Sequence, residues 1–135
     1  MPTLTLHTQK PRQWIDITDD VARAVRQSGV QDGLCLVFSP HTTASVVLNE
    51  HWDPQVVDDV LRWLEQQLPA TWPHFRHLEG NSAAHLLCSW FGSAVTVPIA
   101  EGGLALGRWQ GIFFAEWDGP RTRQYRVDCV GTPRP

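Results

Sequence analysis

The chain has 135 residues, with 42% hydrophobic and 19% charged residues. These are values of one ordinary folded domain, and they exclude intrinsic disorder and a two-domain protein. Eleven basic against fourteen acidic residues give a formal charge of −3, which disfavours nucleic-acid binding dominated by phosphate contacts. No apolar run is long enough to cross a membrane, and Met1-Pro2-Thr3-Leu4 lacks signal-peptide character, so a cytoplasmic address is expected. Cys35, Cys88 and Cys129 lie far apart among apolar neighbours and read as small buried hydrophobes. Seven Trp stand against one Tyr, and Lys10 is the single lysine among the eleven basic residues.

In chain order, residues 3–8 alternate polar and apolar and predict a half-buried strand. Gln13 to Ile17 is expected to pair with it. Thr18 is expected to cap a helix carrying Val21, Ala24 and Val25 on its inner face, stopped by Gly29. Gly33 to Ser39 predicts a buried strand, broken by Pro40. Thr42 to Asn49 predicts another, with Ala44, Val46 and Leu48 on one face and hydroxyls beside His41 on the other. Asp53-Pro54 opens a helix, with Asp as N-cap and Pro in its first turn. A loop holding Trp72, His74, Phe75 and His77 leads to a short helix that begins near Asn81 and stops at Gly92. Strands then follow around Val95 to Ile99, Leu104 to Leu106, Ile112 to Ala115 and Gln124 to Val130. Ile112 to Ala115 is apolar on both faces and requires cover on both sides. The order predicts a single-domain α+β fold.

Four groups of residues carry candidate chemistry. His41 begins a strand that ends at Glu50. Roughly 30 Å of extended chain separates them, so one strand cannot unite them. His77, Asn81 and His85 surround the start of the short helix. With His41 they supply three imidazoles, the donor set of an open zinc site, although spacing alone favours histidines that satisfy one another and the backbone in a Trp-rich loop. Trp109-Gln110 follows a glycine-bounded apolar pair and sets a polar handle beside an aromatic face. Arg121 and Arg123 share strand parity with Tyr125, Val127 and Cys129. They suit an anion clamp, or ion pairs with Glu116 and Asp118 across a hairpin.

The motifs SPHTTAS (39–45), NE-x-x-DP (49–54), N-x-x-x-H (81–85), VPI-x-x-G-x-LxLGxWQ (97–110) and E-x-DGPR-x-R (116–123) occur in this order. Together they resemble the YjbQ family, also called the secondary thiamine-phosphate synthase family, from about Gly33 to Gly131. The resemblance implies a two-sheet β-sandwich with flanking helices, assembled as a homotrimer. It also implies a divalent metal, zinc above others, on His41, His77 and His85. Thr43, Asn81 and Trp109 then fall at substrate-binding positions, and Glu50, Gln110, Arg121 and Arg123 at catalytic ones. The implied function is a metal-dependent enzyme acting on a small phosphorylated substrate, with weak thiamine-phosphate synthase side activity. The competing reading is a non-enzymatic ligand-binding or scaffold homotrimer. Many members carry a longer acidic stretch between the second and third histidines. Here residues 78–84 intervene, with Glu79 their only carboxylate.

Overall fold

The computed structural model describes residues 1–133. The strands are β1 (Thr3–His7), β2 (Gln13–Asp16), β3 (Val30–Phe38), β4 (Ala44–Glu50), β5 (Ala94–Ala100), β6 (Gly103–Leu104), β7 (Gln110–Glu116) and β8 (Thr122–Pro133). The helices are α1 (Thr18–Ser28), α2 (Pro54–Gln67) and α3 (Ser82–Phe91). Two antiparallel sheets form, one ordered β1-β8-β3-β5-β6 and the other β2-β7-β4. This is the expected α+β fold. Among the described residues no helix is long and apolar enough to cross a membrane.

Local chemistry explains the helix ends. The Asp53 carboxylate accepts from the Gln55 N–H at 2.9 Å and caps α2, with Pro54 where no donor is needed. Gly29 ends α1 in the left-handed conformation, φ 76°, which costs least at glycine. Thr18 does not act as the expected cap. Ile17 holds the N-cap position, and the Thr18 hydroxyl instead bonds the Asp16 carboxylate and accepts from Ile112 N–H at 2.9 Å.

The first core fills the space between the sheets, where Val21 and Val25 of α1 meet Val37, Val46, Phe114, Tyr125 and Val127. The second lies on the far side of the three-stranded sheet, where Leu64 of α2 and Leu87 of α3 cover Trp14, Val47, Phe113 and Ala115. Strand β7 is the shared wall. Ile112 and Phe114 enter the first core, and Phe113 and Ala115 the second. The doubly apolar run is thereby explained. Cys35 and Cys129 are buried opposite each other in the β3–β8 ladder. Burial, with Cys129 beside it, pushes the Cys35 thiol up to about 12, which suits an inert packing residue.

Two strand expectations are corrected. β2 does not pair with β1. It pairs with β7 in the other sheet, while β1 pairs with β8, because the apolar faces of Trp14 and Ile15 each meet a core. β3 is not buried on both faces. Cys35 and Val37 are buried, but Leu34 is 49% exposed, Leu36 and Phe38 are each 36% exposed, and neighbouring Val130 is 59% exposed. The outer face of the five-stranded sheet therefore carries an uncovered apolar stripe.

Candidate functional site

The β4–β7 ladder places the candidate residues at two separate ends. Ala44 pairs with Glu116 at one end, and Glu50 pairs with Gln110 at the other. Six residue steps set these ends about 20 Å apart.

At the first end, Arg123 and Glu116 form a buried ion pair, with side chains 6% and 0% exposed. Arg123 Nε donates to Glu116 Oε1 at 2.8 Å, and its Nη2 donates to Glu116 Oε2 and, at 2.8 Å, to Thr43 Oγ1. Thr8 Oγ1 donates to Glu116 Oε1 at 2.8 Å, and Asp118 N–H to Oε2 at 3.0 Å. Burial pushes the Glu116 carboxyl up. The Arg123, Asp118 and Thr8 hydrogen bonds and the Arg123 charge outweigh it, so the net shift is downward. Gly119 makes room for this arrangement, because a Cβ there would lie 2.3 Å from the Lys10 carbonyl and 2.9 Å from Glu116 Cγ. Of the two roles open to Arg123, the ion pair is the one formed. Thr43 points its hydroxyl at that guanidinium.

His41 stands beside this pair. Its Nε2 accepts from Gln124 N–H at 3.0 Å, and its ring meets Phe114 edge-on. Burial and then the Arg123 charge lower its pKa, against an opposing pull from the Gln124 main chain and Glu116. The Cys88 thiol of α3 donates to the Ala44 carbonyl at 3.3 Å and tethers the helix to the start of β4.

The first turn of α3 extends this end outward. Asn81 Nδ2 donates to Asp118 Oδ2 at 2.8 Å, and Asn81 Oδ1 is buried without a hydrogen bond among the described residues. Arg121 donates from Nη2 to Asp118 Oδ2 at 2.9 Å and from Nε to the Asp118 carbonyl at 2.8 Å. Its side chain remains 49% exposed. Burial opposes ionisation of Asp118, but Asn81 and Arg121 hold its pKa below the ordinary range. The His77 and His85 rings meet edge-to-face, with centroids 5.2 Å apart.

Two members of the expected histidine trio are therefore neighbours, while the His41 ring nitrogen faces the Gln124 main chain of β8. Among the described residues no three His, Cys, Asp or Glu side chains converge as metal donors. The three-imidazole set does not fit within a single chain. Of the three, only His77 and His85 lie ring against ring.

The other end holds Glu50, Trp109 and Gln110, so the chain does not bring them to the histidines. Gln110 Oε1 accepts from Gly107 N–H at 2.8 Å, which commits its polar handle to the turn. Trp109 packs edge-on against Trp52 at 5.9 Å and lies under the Arg108 guanidinium at 4.8 Å. Sequence reasoning passed over Thr8 and Asp16. Each is an ordinary strand-end residue by pattern, and only tertiary pairing brings it to a functional group.

The architecture defines a class: two packed antiparallel sheets, the smaller of which holds a ladder with a histidine end and a tryptophan-glutamine end. Residues 2–132 match the description UPF0047 protein YjbQ-like. The chain is 44% identical over 126 residues to a UPF0047 protein of Methanocaldococcus jannaschii, covering 93% of this chain and 91% of that protein. It is 42% identical over 133 residues to UPF0047 protein YugU of Bacillus subtilis, covering 97% and 99%. Its structure is similar to that of a YjbQ/UPF0047 protein of Clostridium acetobutylicum, with a TM-score of 0.93, 45% identity and coverage of 96% and 100%. The chain belongs to the YjbQ-like UPF0047 family.

Proposed function

We propose that the chain is a metal-dependent enzyme acting on a small phosphorylated compound at the surface formed by His77, His85, Asn81, Asp118 and Arg121. The observation that carries this reading is the His77–His85 pair, with ring centroids 5.2 Å apart, one from the loop before α3 and one from α3 itself, beside Asn81, which bonds Asp118. The two imidazoles would hold a divalent ion, zinc being the one best suited to them. Such an ion, when bound, supplies positive charge against phosphoryl oxygens. Arg121, oriented by Asp118 and open to solvent, would bind the phosphate. Arg123 acts as a positioning residue here, holding Thr43 and Glu116 rather than touching substrate.

The same reading takes the exposed Leu34, Leu36, Phe38 and Val130 as the surface on which copies of the chain associate, a homotrimer by the family resemblance. Such an assembly is the route by which Glu50, Trp109 and Gln110 of one copy could serve the histidines of another. Large uncovered apolar patches are uncommon on monomers, which supports assembly whether or not the chain turns over a substrate.

The test is elemental analysis after zinc loading, joined to an assay for thiamine-phosphate formation from the pyrimidine pyrophosphate and the thiazole phosphate. Stoichiometric zinc that His77→Ala and His85→Ala each abolish, with loss of a low turnover and an unchanged sedimentation coefficient, is the expected result. Zinc retained in both variants sinks the metal assignment. A Leu36→Asp variant is expected to fall to monomers. If it sediments as the parent does, the sheet face is not the contact.

A further inference from the structure

The end of the ladder remote from the histidine pair holds a cavity of about 280 Å³, lined by Trp14, Asp16, Glu50, His51, Phe113 and Asp58 among others. Its imidazole is held in place from three sides. His51 Nδ1 lies 2.9 Å from Asp16 Oδ2. Asp16 is itself fixed, since its Oδ1 accepts from the Thr18 main-chain N–H at 2.9 Å. The His51 main-chain N–H donates to the Trp109 carbonyl at 3.0 Å. The third constraint is steric: a Cβ on Gly111 would stand 2.4 Å from His51 Cγ and 2.5 Å from Nδ1, so the ring occupies space that only glycine leaves free.

This geometry selects one tautomer. With Nδ1–H donated to Asp16, Nε2 is an acceptor, and it has no hydrogen bond among the described residues. The carboxylates of the wall divide in the same way. Asp16 is spent on Thr18 and His51, and Asp53 on the α2 cap. Glu50 and Asp58 carry no side-chain hydrogen bond or ion pair among the described residues, and no Lys or Arg lines the cavity. The floor is aromatic. Trp14 is 9% exposed and Phe113 5% exposed, and the Trp14 indole N–H is buried without an acceptor among the described residues.

We propose that this cavity is a binding site for a small organic amine with a flat apolar body. A primary ammonium carries three N–H donors and a positive charge. The wall offers three acceptors without side-chain partners among the described residues, Glu50, Asp58 and His51 Nε2, and a negative charge that Arg12 and Arg62 offset only from the adjoining groove that Asp58 also lines. The apolar body lies against Trp14, Phe113 and Val57. Within one chain the site lies at the opposite end of the ladder from the proposed phosphoryl surface, and Glu50 is the one residue that the assembled form would share between them.

The experiment titrates the full chain with phenethylamine while the His51 ring and Trp14 indole signals are followed by nitrogen-edited NMR. Phenylacetate, which replaces the ammonium with a carboxylate, is the control. Saturable shifts at both residues with phenethylamine, none with phenylacetate, and at least tenfold weaker binding in an E50Q/D58N double variant are the expected results. The double variant alters exposed or half-buried side chains without hydrogen-bond partners, so it is expected to fold. Gly111→Ala is expected to displace the ring and weaken binding further. No saturable shift with phenethylamine, equal binding of phenylacetate, or unchanged affinity in E50Q/D58N would each overturn the assignment.

Discussion

The two ends of the β4–β7 ladder treat charge in opposite ways. At the Ala44–Glu116 end a carboxylate and a guanidinium are sealed from water, and each oxygen and most donors are matched. At the Glu50–Gln110 end, two carboxylates and an imidazole nitrogen face a cavity with no hydrogen-bond partner among the described residues. The same pair of strands thus carries a structural ion pair at one end and unspent polar groups at the other. Chemical type does not separate them, since both ends hold a glutamate and a histidine. What separates them is whether the chain supplies the partner.

Substitution at the sealed end is the strongest way to break this contrast. Arg123→Ala leaves Glu116 buried and uncompensated, and removing one member of such a pair typically costs about 3–5 kcal/mol. Urea denaturation is expected to show a loss of that order. A loss below about 1 kcal/mol would mean that the pair is effectively solvated.

The pH dependence sharpens the same contrast. Glu116 has its folded pKa held below its ordinary value. Its contribution is therefore present above the unfolded carboxylate range, and it is lost as pH falls through the depressed folded value. Asp118 and Asp16 are shifted in the same direction. Stability measured from about pH 6 down to about pH 3 is expected to fall more steeply in the parent than in Glu116→Gln. Equal slopes would remove Glu116 from the acid response.

The open end yields the smallest effect. Asp16→Asn weakens a contact whose side chains are 31% and 44% exposed, so solvent screening holds the expected loss to about 0.5 kcal/mol. The change that matters there is in the His51 tautomer, which nitrogen chemical shifts read directly. An Asp16→Asn protein with an unchanged His51 spectrum would show that Asp16 does not orient the ring.

Much of the fold was legible because periodicity reports burial. Val21, Ala24 and Val25 gave the inner face of α1, Asp53-Pro54 its successor's start, and the doubly apolar Ile112 to Ala115 the wall between two cores. The pairing of β2 was not legible. Adjacency in sequence favours a hairpin with β1, whereas the partner, β7, lies nearly a hundred residues away and is chosen by the two cores. β3 misled for a related reason, since an uninterrupted apolar run reads as burial on both faces even where one chain covers only one. In the site, strand parity placed Arg123 inward with Tyr125 and Val127. It could not place Arg121, whose strand-edge position frees it to turn back to Asp118. The spacing argument that separated His41 from Glu50 agrees with the ladder, while the Asp16–His51 contact joins residues 35 apart and left no local trace.

Strand β7 has a consequence for how the molecule opens. It is bonded on both edges, to β2 and β4, and roofed on both faces, so no local fluctuation brings its amides to water. Their deuterium uptake is expected to require complete unfolding and to track global stability, whereas the short β6 and the loop before α3 exchange through partial openings. The amides of Phe113 and Phe114 then serve as an internal gauge, registering any ligand or partner that stabilises the folded chain, at either end of the ladder.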